Sequence, residues 1–478
     1  MSVWARRMVL ASFLLAVVWQ ALPIGWISPL VVQDVSMAPT LLGQHAVASC
    51  PRCGTRYSIE WLSDLSPENR STCAGCGRLH ALGTDVILRG GDRVWIDRLA
   101  RWSGPRRGQL WAFRDPADAR RWLVKRVVGL PGERIDLRHG DLLVNGQIQA
   151  KSLNELREVS IPVMSIRAED GGKSDIAGES ADAGADPSAT AIAALCWRPA
   201  AGSAWEARGR EWIGPHMMDH PAANSAEQAT ANVSAEGWHW LEFSGTEVSG
   251  RQGSAGLLLD DYSFHQSVSR ALHPMSDLWL SLELEPRDVA DGWGPVAVAV
   301  EWRDAWQSCR AEWDWARGEV RLGDAFDQED KGPAEIPTGG APDRRTLVGG
   351  PGTPDRRRRL VFAAWDGQTA AAWEERGETQ VLQRRLRGER LGPPQLRQLR
   401  IGVRGVGCRV RAIELRRDLH YYDARREAAG DRGQAGVPRS LGAGQFFVLG
   451  DNGPQSIDSR DQGPVDLEQL VGRVRKSR

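Results

Sequence analysis

The chain has 478 residues, a length that allows about three domains. Lys and Arg together number 61, as do Asp and Glu, so the formal net charge is zero. This balance argues against a nucleic-acid-binding protein, which usually carries a basic face. Hydrophobic residues make up 41% of the chain and exclude wholesale disorder, while seven cysteines are too few for a disulfide-built scaffold.

A long uncharged segment lies close to the N-terminus. Arg6 and Arg7 are the last charged residues before Asp34, and residues 8–22 are almost wholly apolar. This pattern predicts one transmembrane helix, assigned to residues 1–30, with the N-terminus in the cytoplasm. We therefore expect a single-pass protein of the cytoplasmic (inner) membrane, in contact with the lipid bilayer, whose remaining chain lies on the outer, periplasmic side. A cleaved signal peptide is the alternative, but no small-residue pair stands at the required spacing.

Four of the seven cysteines form two close pairs. Cys50 and Cys53 are separated by two residues, as are Cys73 and Cys76, and 19 residues lie between the pairs. This spacing is typical of a zinc ribbon, in which four thiolates surround one Zn²⁺, and a glycine follows each pair where a knuckle turn needs an open backbone. Residues 43–85 are therefore predicted to form a zinc-ribbon-like insert. Two local disulfides are the competing state outside the cytoplasm.

A large β-rich block occupies the middle of the chain. Apolar and polar residues alternate with period two in 278–285 and 296–303, which predicts half-buried strands. Residues 195–423 are assigned to an inserted antiparallel sandwich that resembles concanavalin-like and laminin-G-like domains by pattern. Its tryptophans either stack sugar rings on exposed indoles or pack in the core. Residues 165–194, rich in Ala, Gly, Ser and Asp, are predicted to be a flexible linker, so the block is expected to fold alone.

Three separated motifs carry the chemistry of the chain. They are Ser36-Met37-Ala38-Pro39-Thr40-Leu41, Lys125-Arg126-Val127-Val128-Gly129-Leu130-Pro131-Gly132-Glu133 and Gly450-Asp451-Asn452-Gly453-Pro454-Gln455-Ser456-Ile457-Asp458-Ser459-Arg460. In this order, with Gly91-Asp92-Arg93-Val94 between the first two, they resemble type I signal peptidases, the serine proteases that remove leader peptides from exported proteins. The resemblance covers roughly 1–42, 86–149 and 441–475.

A serine and a lysine are sufficient for the expected chemistry. A serine hydroxyl becomes a good nucleophile only when a base removes its proton, and a neutral lysine is one such base. Lys125 lies in the segment WLVKRVVGL, whose apolar residues favour the desolvation that a neutral amine requires. The resemblance makes Ser36 the nucleophile and Lys125 the general base.

The resemblance also assigns supporting roles to residues of the second and third motifs. Ser456 matches the serine whose hydroxyl orients the lysine amine. Asp451 matches a carboxylate that pairs with the arginine after the lysine, here Arg126. Asp458 and Arg460 match a second ion pair near the site.

The expected oxyanion donor and substrate pocket involve residues at and beside Ser36, and the chain departs from the family pattern at two places. The backbone N–H of Ser36 is the expected oxyanion donor. One branch of the family has a hydroxyl donor two residues earlier, whereas this chain has Asp34, whose ionised carboxylate cannot donate a hydrogen bond. Met37 is a candidate for one wall of the substrate pocket. The third motif reads GDNGPQS, where GDNRDNS is commoner in the family.

The predicted fold is mainly β, with one N-terminal transmembrane helix, a signal-peptidase β-fold catalytic core, the zinc-ribbon-like insert and the β-sandwich. In chain order the predicted parts are 1–30 (membrane anchor), 31–42 (catalytic core with the nucleophile motif), 43–85 (zinc-ribbon-like insert), 86–164 (catalytic core with the lysine motif), 165–194 (flexible linker), 195–423 (sandwich) and 424–478 (linker and C-terminal part of the catalytic core).

The expected function is that of a membrane-bound signal peptidase I, a serine endopeptidase whose catalytic domain acts on signal peptides of exported preproteins. Catalysis needs no cofactor, a structural Zn²⁺ is expected at the four cysteines, and no nucleic-acid partner is expected. One alternative is a catalytically weak relative that acts as a membrane-tethered carbohydrate- or protein-binding module through the sandwich. A second alternative is a Ser/Lys self-cleaving regulator.

Overall fold

The computed structural model covers most of the chain. The described residues are 3–24, 26–61, 69–115, 118, 120–168, 196–214, 237–245, 258–266, 272–286, 295–314, 318–324, 343–346, 357–375, 378–386, 390, 392–405, 408–422 and 439–476. The fold is mainly β, as the sequence predicts. Most of the predicted linker 165–194 lies outside the described residues.

Helices are few among the described residues. The α-helices there are α1 (Val3–Ile24), α2 (Leu153–Val159) and α3 (Ser459–Gln462). Short 3₁₀ turns cover Leu99–Trp102, Gly453–Gln455 and Leu467–Gln469. The start of α2 is defined by a capping box, in which Ser152 accepts from the backbone N–H of Glu155 while the Glu155 carboxylate accepts from the Ser152 N–H.

The predicted transmembrane helix is wrong. In the part of the chain that the structure describes, no helix is both long enough and apolar enough to cross a membrane. Arg6 and Arg7 belong to α1 itself, so its uncharged part begins only at Met8. The placement as a single-pass protein of the inner membrane, which depended on that helix, is wrong with it.

Strands before the large insertion form the four-cysteine insert and most of the predicted catalytic part, below called the catalytic part; among the described residues only the last of them, β13, pairs with the sandwich. They are β1 (Ile27–Val31), β2 (His45–Ser49), β3 (Arg56–Glu60), β4 (Arg70–Thr72), β5 (Leu79–Ala81), β6 (Ile87–Arg89), β7 (Arg93–Asp97), β8 (Leu110–Arg114), β9 (Trp122–Gly129), β10 (Arg134–Arg138), β11 (Asp141–Val144), β12 (Gln147–Ile148) and β13 (Ile161–Arg167).

Strands of the large insertion and the C-terminal part complete the fold. Those of the insertion are β14 (Trp197–Pro199), β15 (Glu206–Arg208), β16 (Glu211–Ile213), β17 (Trp238–Phe243), β18 (Leu258–Leu259), β19 (Pro274–Met275), β20 (Leu278–Pro286), β21 (Pro295–Asp304), β22 (Ser308–Asp314), β23 (Glu319–Gly323), β24 (Asp343–Thr346), β25 (Arg358–Trp365), β26 (Gln368–Glu375), β27 (Glu378–Arg385), β28 (Leu396–Gly405) and β29 (Cys408–Arg417). The last strands are β30 (Arg439–Ser440), β31 (Gln445–Leu449), β32 (Val465–Asp466) and β33 (Leu470–Lys476).

One antiparallel sheet brings the separated motifs together. Its order is β1-β7-β33-β8-β9-β31-β32, so the C-terminal strands β31 and β33 pair with strands from the first third of the chain. Strand β9, which carries Lys125, lies between β8 and β31. In this register Leu449, the last residue of β31, pairs with Arg126. The third motif therefore starts beside the lysine motif. A smaller sheet has the order β12-β11-β10-β30; along the chain, β10 follows β9 and β30 precedes β31.

The large insertion is a two-sheet sandwich. One sheet has the order β15-β16-β29-β20-β25-β26-β27, with β13 also paired to β29, and the other has the order β14-β17-β28-β21-β22-β23-β24. Leucines 278, 280, 282 and 284 of β20 are buried in the central cluster, as their alternation predicts. The sandwich tryptophans whose side chains are described are buried, apart from Trp306, which is 43% exposed. Packing therefore accounts for nearly all of these indoles.

Both insertions share one hydrophobic core. The four paired cysteines belong to the same buried cluster as the leucines of β20. Arg210 of the sandwich donates to the carbonyl oxygen of Cys53 at 2.5 Å, and the Cys196 thiol donates to that of Cys76 at 2.9 Å. The expectation that residues 195–423 fold alone is therefore not supported by these contacts.

Candidate active site and metal centre

Lys125 is a buried lysine on β9, inside the sheet that brings the three motifs together. It pairs across the ladder with Trp111, and only 3% of its surface is exposed. Its Nζ donates a hydrogen bond to Ser456 Oγ at 2.9 Å, although the two residues are 331 positions apart. The structure thus brings the second and third motifs into direct contact.

The environment of Lys125 favours a neutral amine. Burial lowers its pKa to about 8, because desolvation penalises the ammonium form. Negative charges at Asp458, Asp34 and Asp451 raise the pKa, and the positive charge at Arg460 lowers it, but burial dominates. A lysine with such a pKa is partly deprotonated near neutral pH, as a general base must be.

Ser36 lies in the turn that follows β1, against the third motif. Its carbonyl oxygen accepts from the backbone N–H of Asn452 at 3.0 Å. Gly450 lies between the two motifs: a Cβ atom added there would be 2.1 Å from Ser456 Oγ and 2.6 Å from the Ser36 carbonyl oxygen. The nucleophile motif and the serine that holds Lys125 therefore meet at one glycine.

Arg126 and Asp451 form a buried bidentate ion pair. Arg126 Nε donates to Asp451 Oδ1 at 2.8 Å, and a terminal guanidinium nitrogen donates to Oδ2 at 2.5 Å. Thr40 Oγ1 also donates to Asp451 Oδ2 at 2.5 Å. The pair therefore ties all three motifs together, since Thr40 belongs to the first motif. Two parallel hydrogen bonds between a guanidinium and a carboxylate define their relative orientation more strictly than a single hydrogen bond does.

Asp458 and Arg460 form a second buried pair. Asp458 accepts from Arg460 at 2.9 and 2.8 Å, and its Oδ2 also accepts from the backbone N–H of Gly450 at 2.9 Å. Burial works against the ionised carboxylate, but the bonds to Arg460 and Gly450 hold the pKa of Asp458 below its usual range. Asp458 also caps α3.

Asp34 and Met37 lie outside these two ion pairs. The Asp34 carboxylate accepts from Arg121 at 2.7 Å, and both side chains are more than half exposed. As a paired carboxylate it cannot donate to an oxyanion, as the sequence indicates. Met37 is buried in a cluster with Leu41 of the same motif and Val94 of β7. Its role as a pocket wall remains a prediction.

The four paired cysteines converge at one point. Their sulfur atoms all lie within 4.8 Å of one another, with 3.8 Å between Cys50 and Cys76 and 3.7 Å between Cys53 and Cys73. A tetrahedral Zn²⁺ with Zn–S bonds of about 2.3 Å places its sulfur ligands roughly 3.8 Å apart. The donor set and its spacing fit a structural metal. No pair is bonded as a disulfide in this arrangement.

Two knuckle turns position these sulfurs. The first lies between β2 and β3 and the second between β4 and β5. Gly54 and Gly77 have φ values of 69° and 66°, a conformation that glycine adopts readily, as the sequence predicts. Their N–H groups donate to the carbonyl oxygens of Cys50 and Cys73 at 2.9 and 2.8 Å.

Sequence reasoning missed two groups of residues. One joins the insertions to the third motif through Glu60, His265, Asn452 and Gln455. The other is a largely buried network of charges at the junction of the sandwich and the catalytic part, made of Asp141, Lys151, Asp277, Asp366, Arg390, Asp418 and His420. Neither group has a local sequence signal, because its members come from distant parts of the chain.

Comparisons with known proteins give one family match. The family described as signal peptidase, peptidase S26 matches residues 4–173 and 411–477, just under half of the chain. No curated protein matches the chain.

Solved structures share only low similarity. The Ca²⁺/Man3GlcNAc-bound exoplasmic/lumenal domain of VIP36 has 8% identity and a TM-score of 0.28, covering 51% of this chain and 92% of that one. The carbohydrate-binding module CBM66 from Bacillus subtilis has 12% identity and a TM-score of 0.22, covering 46% and 92%. Fructofuranosidase from Schwanniomyces occidentalis in complex with fructose has 8% identity and a TM-score of 0.21, covering 30% and 28%.

The family match is interrupted by most of the sandwich and contains all three motifs. It supports a domain of the signal peptidase family, a family of serine peptidases, in this chain.

Proposed function

We propose that the protein is a serine endopeptidase that removes N-terminal signal peptides from exported proteins, with Ser36 as nucleophile and Lys125 as general base. The observation that carries the proposal is the buried hydrogen bond from Lys125 to Ser456. It holds an amine with a lowered pKa at Ser456, a residue of the same motif as Asn452, which donates to the Ser36 carbonyl oxygen. The family match of the chain to signal peptidases supports the same reading.

The first chemical step is acylation of the serine. Neutral Lys125 takes the proton of Ser36 Oγ as the oxygen attacks the scissile carbonyl carbon. The backbone N–H of Ser36 would donate to the resulting oxyanion. The lysine ammonium then gives its proton to the leaving amine, and the acyl-enzyme remains. Ser456 keeps the amine oriented throughout these transfers.

The second step is hydrolysis of the acyl-enzyme. Lys125, neutral again, removes a proton from water, whose oxygen attacks the ester carbonyl. Collapse of the tetrahedral intermediate returns the proton to Ser36 and releases the signal peptide with a new carboxylate. The Arg126–Asp451 and Asp458–Arg460 pairs take no proton in this scheme; they position the strands and the loop.

The expected substrate is an extended peptide with small residues one and three positions before the cut, as the family resemblance implies. Such a peptide binds by adding to strand edges, with shallow pockets for the small side chains.

The test is cleavage of a synthetic signal peptide with an Ala-X-Ala site by the purified full chain. We expect wild-type protein to cleave after the second alanine, and Ser36→Ala, Lys125→Met and Lys125→Arg to be inactive. Ser103→Ala, an exposed serine of the same domain, is the matched control and should be fully active. The rate should rise about tenfold per pH unit below pH 8 and level off above it, because only neutral Lys125 acts as base.

Two results would contradict this proposal. One is equal cleavage by wild type and Ser36→Ala. The other is near-normal cleavage by Lys125→Arg, whose guanidinium stays protonated at any usable pH.

For the four-cysteine insert we propose one bound Zn²⁺, held by Cys50, Cys53, Cys73 and Cys76. The near-tetrahedral spacing of the sulfurs supports it. The ion would be structural, since four protein ligands leave it no open position for substrate.

A further inference from the structure

A short segment of the large insertion reaches back to the catalytic part of the chain. It lies between β18 and β19, and its buried Tyr262 and Phe264 rings stack with a centroid separation of 5.3 Å. Both rings belong to one hydrophobic cluster with Val128 and Leu449, which come from the strands that carry the lysine and precede the third motif. The insertion thus contributes to the core that supports the candidate active site.

Gln455 is held by both insertions. Its side-chain amide nitrogen donates to Glu60 Oε1 and to the carbonyl oxygen of Phe264, each at 2.8 Å. Glu60 is the last residue of β3 in the four-cysteine insert and is buried. Because Gln455 directly precedes Ser456, these two bonds restrain the hydroxyl that holds Lys125.

Asn452 links the insertion to the nucleophile motif. Its backbone N–H donates to the carbonyl oxygen of Ser36 at 3.0 Å, and its side-chain Nδ2 donates to that of Val35 at 3.2 Å. The second bond defines the orientation of the amide, so Oδ1 faces His265 Nε2 at 2.9 Å and accepts its hydrogen. A continuous path of hydrogen bonds therefore runs from His265 to the backbone of Ser36.

Given the function proposed above, on which this inference rests, we propose that Glu60 and His265 are positioning residues that hold the loop 450–456 in its active geometry. They act through the amide side chains of Gln455 and Asn452. The two insertions are thereby coupled to the candidate dyad. Small displacements of catalytic groups cost large factors in rate, so this coupling should be measurable.

The test compares disruptive with conservative substitutions in the full chain. His265→Ala removes the donor to Asn452, whereas His265→Gln retains an N–H of similar reach. Glu60→Leu removes the acceptor for Gln455, whereas Glu60→Gln retains an oxygen acceptor. We expect each disruptive variant to lower kcat roughly 10- to 100-fold at a nearly unchanged KM, and each conservative variant to recover most of the loss.

Two further measurements distinguish positioning from general destabilisation. In the disruptive variants the rise of kcat with pH should move to higher pH, because water that reaches Lys125 favours its ammonium form. Hydrogen–deuterium exchange of the amides in 450–456 should accelerate, while exchange in β20 of the sandwich should stay as in wild type.

Wild-type kcat, pH profile and exchange in both His265→Ala and Glu60→Leu would overturn the inference. Conservative variants as impaired as the disruptive ones would also overturn it, because a side chain needed only for packing would give that pattern. If the wild-type chain itself cleaves no signal peptide, the proposed function fails, whereas the exchange measurement still decides whether Glu60 and His265 hold the loop.

Discussion

Gly450 is a position at which the candidate active site is tightly packed. It follows β31 as the first residue of the third motif, and its N–H donates to Asp458. Its missing side chain leaves space that Ser456 Oγ and the Ser36 carbonyl oxygen fill. Any larger residue would push one of these two groups away, because neither a backbone carbonyl nor a buried hydroxyl has free space to move into.

Gly450→Ala should therefore abolish most activity without unfolding the protein. The added methyl carbon would lie 2.1 Å from Ser456 Oγ, well inside van der Waals contact, so the loop must shift. We expect kcat to fall roughly 100-fold, measured by peptide cleavage, while the unfolding temperature changes little. Gly90→Ala is the control, since nothing lies within 4 Å of a Cβ at that position. Equal activity of the two variants would contradict the close packing described for Gly450.

At the scale of elements, the four-cysteine insert is built from very short strands. The sheet β3-β2-β6 and the hairpin β4-β5 have few residues each. Strands this short are marginal unless something else holds them, and a metal bound by both knuckles would do so. Packing of the cysteines into the core of the sandwich adds to that support.

Native protein should contain about one Zn²⁺ per chain, measured by elemental analysis. Cys73→Ala should remove most of the metal and lower the unfolding temperature by roughly 5–10 °C, because binding of the metal stabilises only the folded insert. Cys408→Ala is the matched control. Cys408 is not one of the four clustered cysteines, and burial raises the pKa of its thiol to about 12, so its substitution should leave the metal content unchanged.

Metal-free native protein with disulfides Cys50–Cys53 and Cys73–Cys76, identified by mass spectrometry, would refute the zinc proposal. The sulfur distances of 3.7 and 3.8 Å across the two knuckles favour the metal.

At the scale of the whole molecule, buried charges join the sandwich to the catalytic part. Lys151 Nζ lies 2.9 Å from carboxylate oxygens of both Asp366 and Asp418. Arg390 donates to Asp277 at 2.5 Å and to Asp141 at 3.3 Å. Removal of one partner from such a buried pair usually costs several kcal/mol, on the order of 3 to 5, because the other charge stays buried.

Several of these groups bind protons more tightly in the folded state. Burial raises the pKa values of Asp141 and Asp418 to about 6, above the unfolded value of roughly 3.9. Burial opposes protonation of His420, but the carboxylates of Asp277, Asp141 and Asp418 raise its pKa. Arg390 holds the pKa of Asp277 below its usual range despite burial, so that carboxylate does not titrate between pH 5 and 8.

The free energy of unfolding should therefore receive a contribution from this network that decreases as pH rises. A raised carboxyl pKa gives stability that is complete below the unfolded carboxyl pKa and is lost as pH rises from about 4 to 6. A raised histidine pKa gives stability that is complete below the unfolded histidine pKa, about 6.5, and is lost as pH rises through the folded histidine pKa. Denaturant titrations at pH 5 and 8 should show that Asp141→Asn, which is always neutral, loses less stability than wild type over this interval. Asp97→Asn, at an exposed pair, is the control. An identical pH dependence in wild type and Asp141→Asn would contradict this assignment.

Local patterns in the sequence were sufficient to predict several structural features of the molecule. Alternation over 278–285 predicts the leucine face of β20, and the two cysteine pairs with their following glycines predict the knuckles. The three motifs predict roles for Ser36, Lys125 and Ser456, which stay predictions, and the family match contains all three motifs. Each of these signals lies within a few adjacent residues, where backbone geometry and side-chain chemistry act directly.

Tertiary structure decided the features that depend on distant residues. The hydrogen bond between Lys125 and Ser456 spans 331 positions, and that between Gln455 and Glu60 spans 395. The helix near the N-terminus includes both arginines, which the apolar run alone did not indicate. Burial of the sandwich tryptophans likewise follows from how two sheets pack and not from their frequency. The sequence alone determined which residues are chemically able to form a site, because that depends on side-chain type and local spacing; only the fold decided which of them meet, because contact depends on strand order and register.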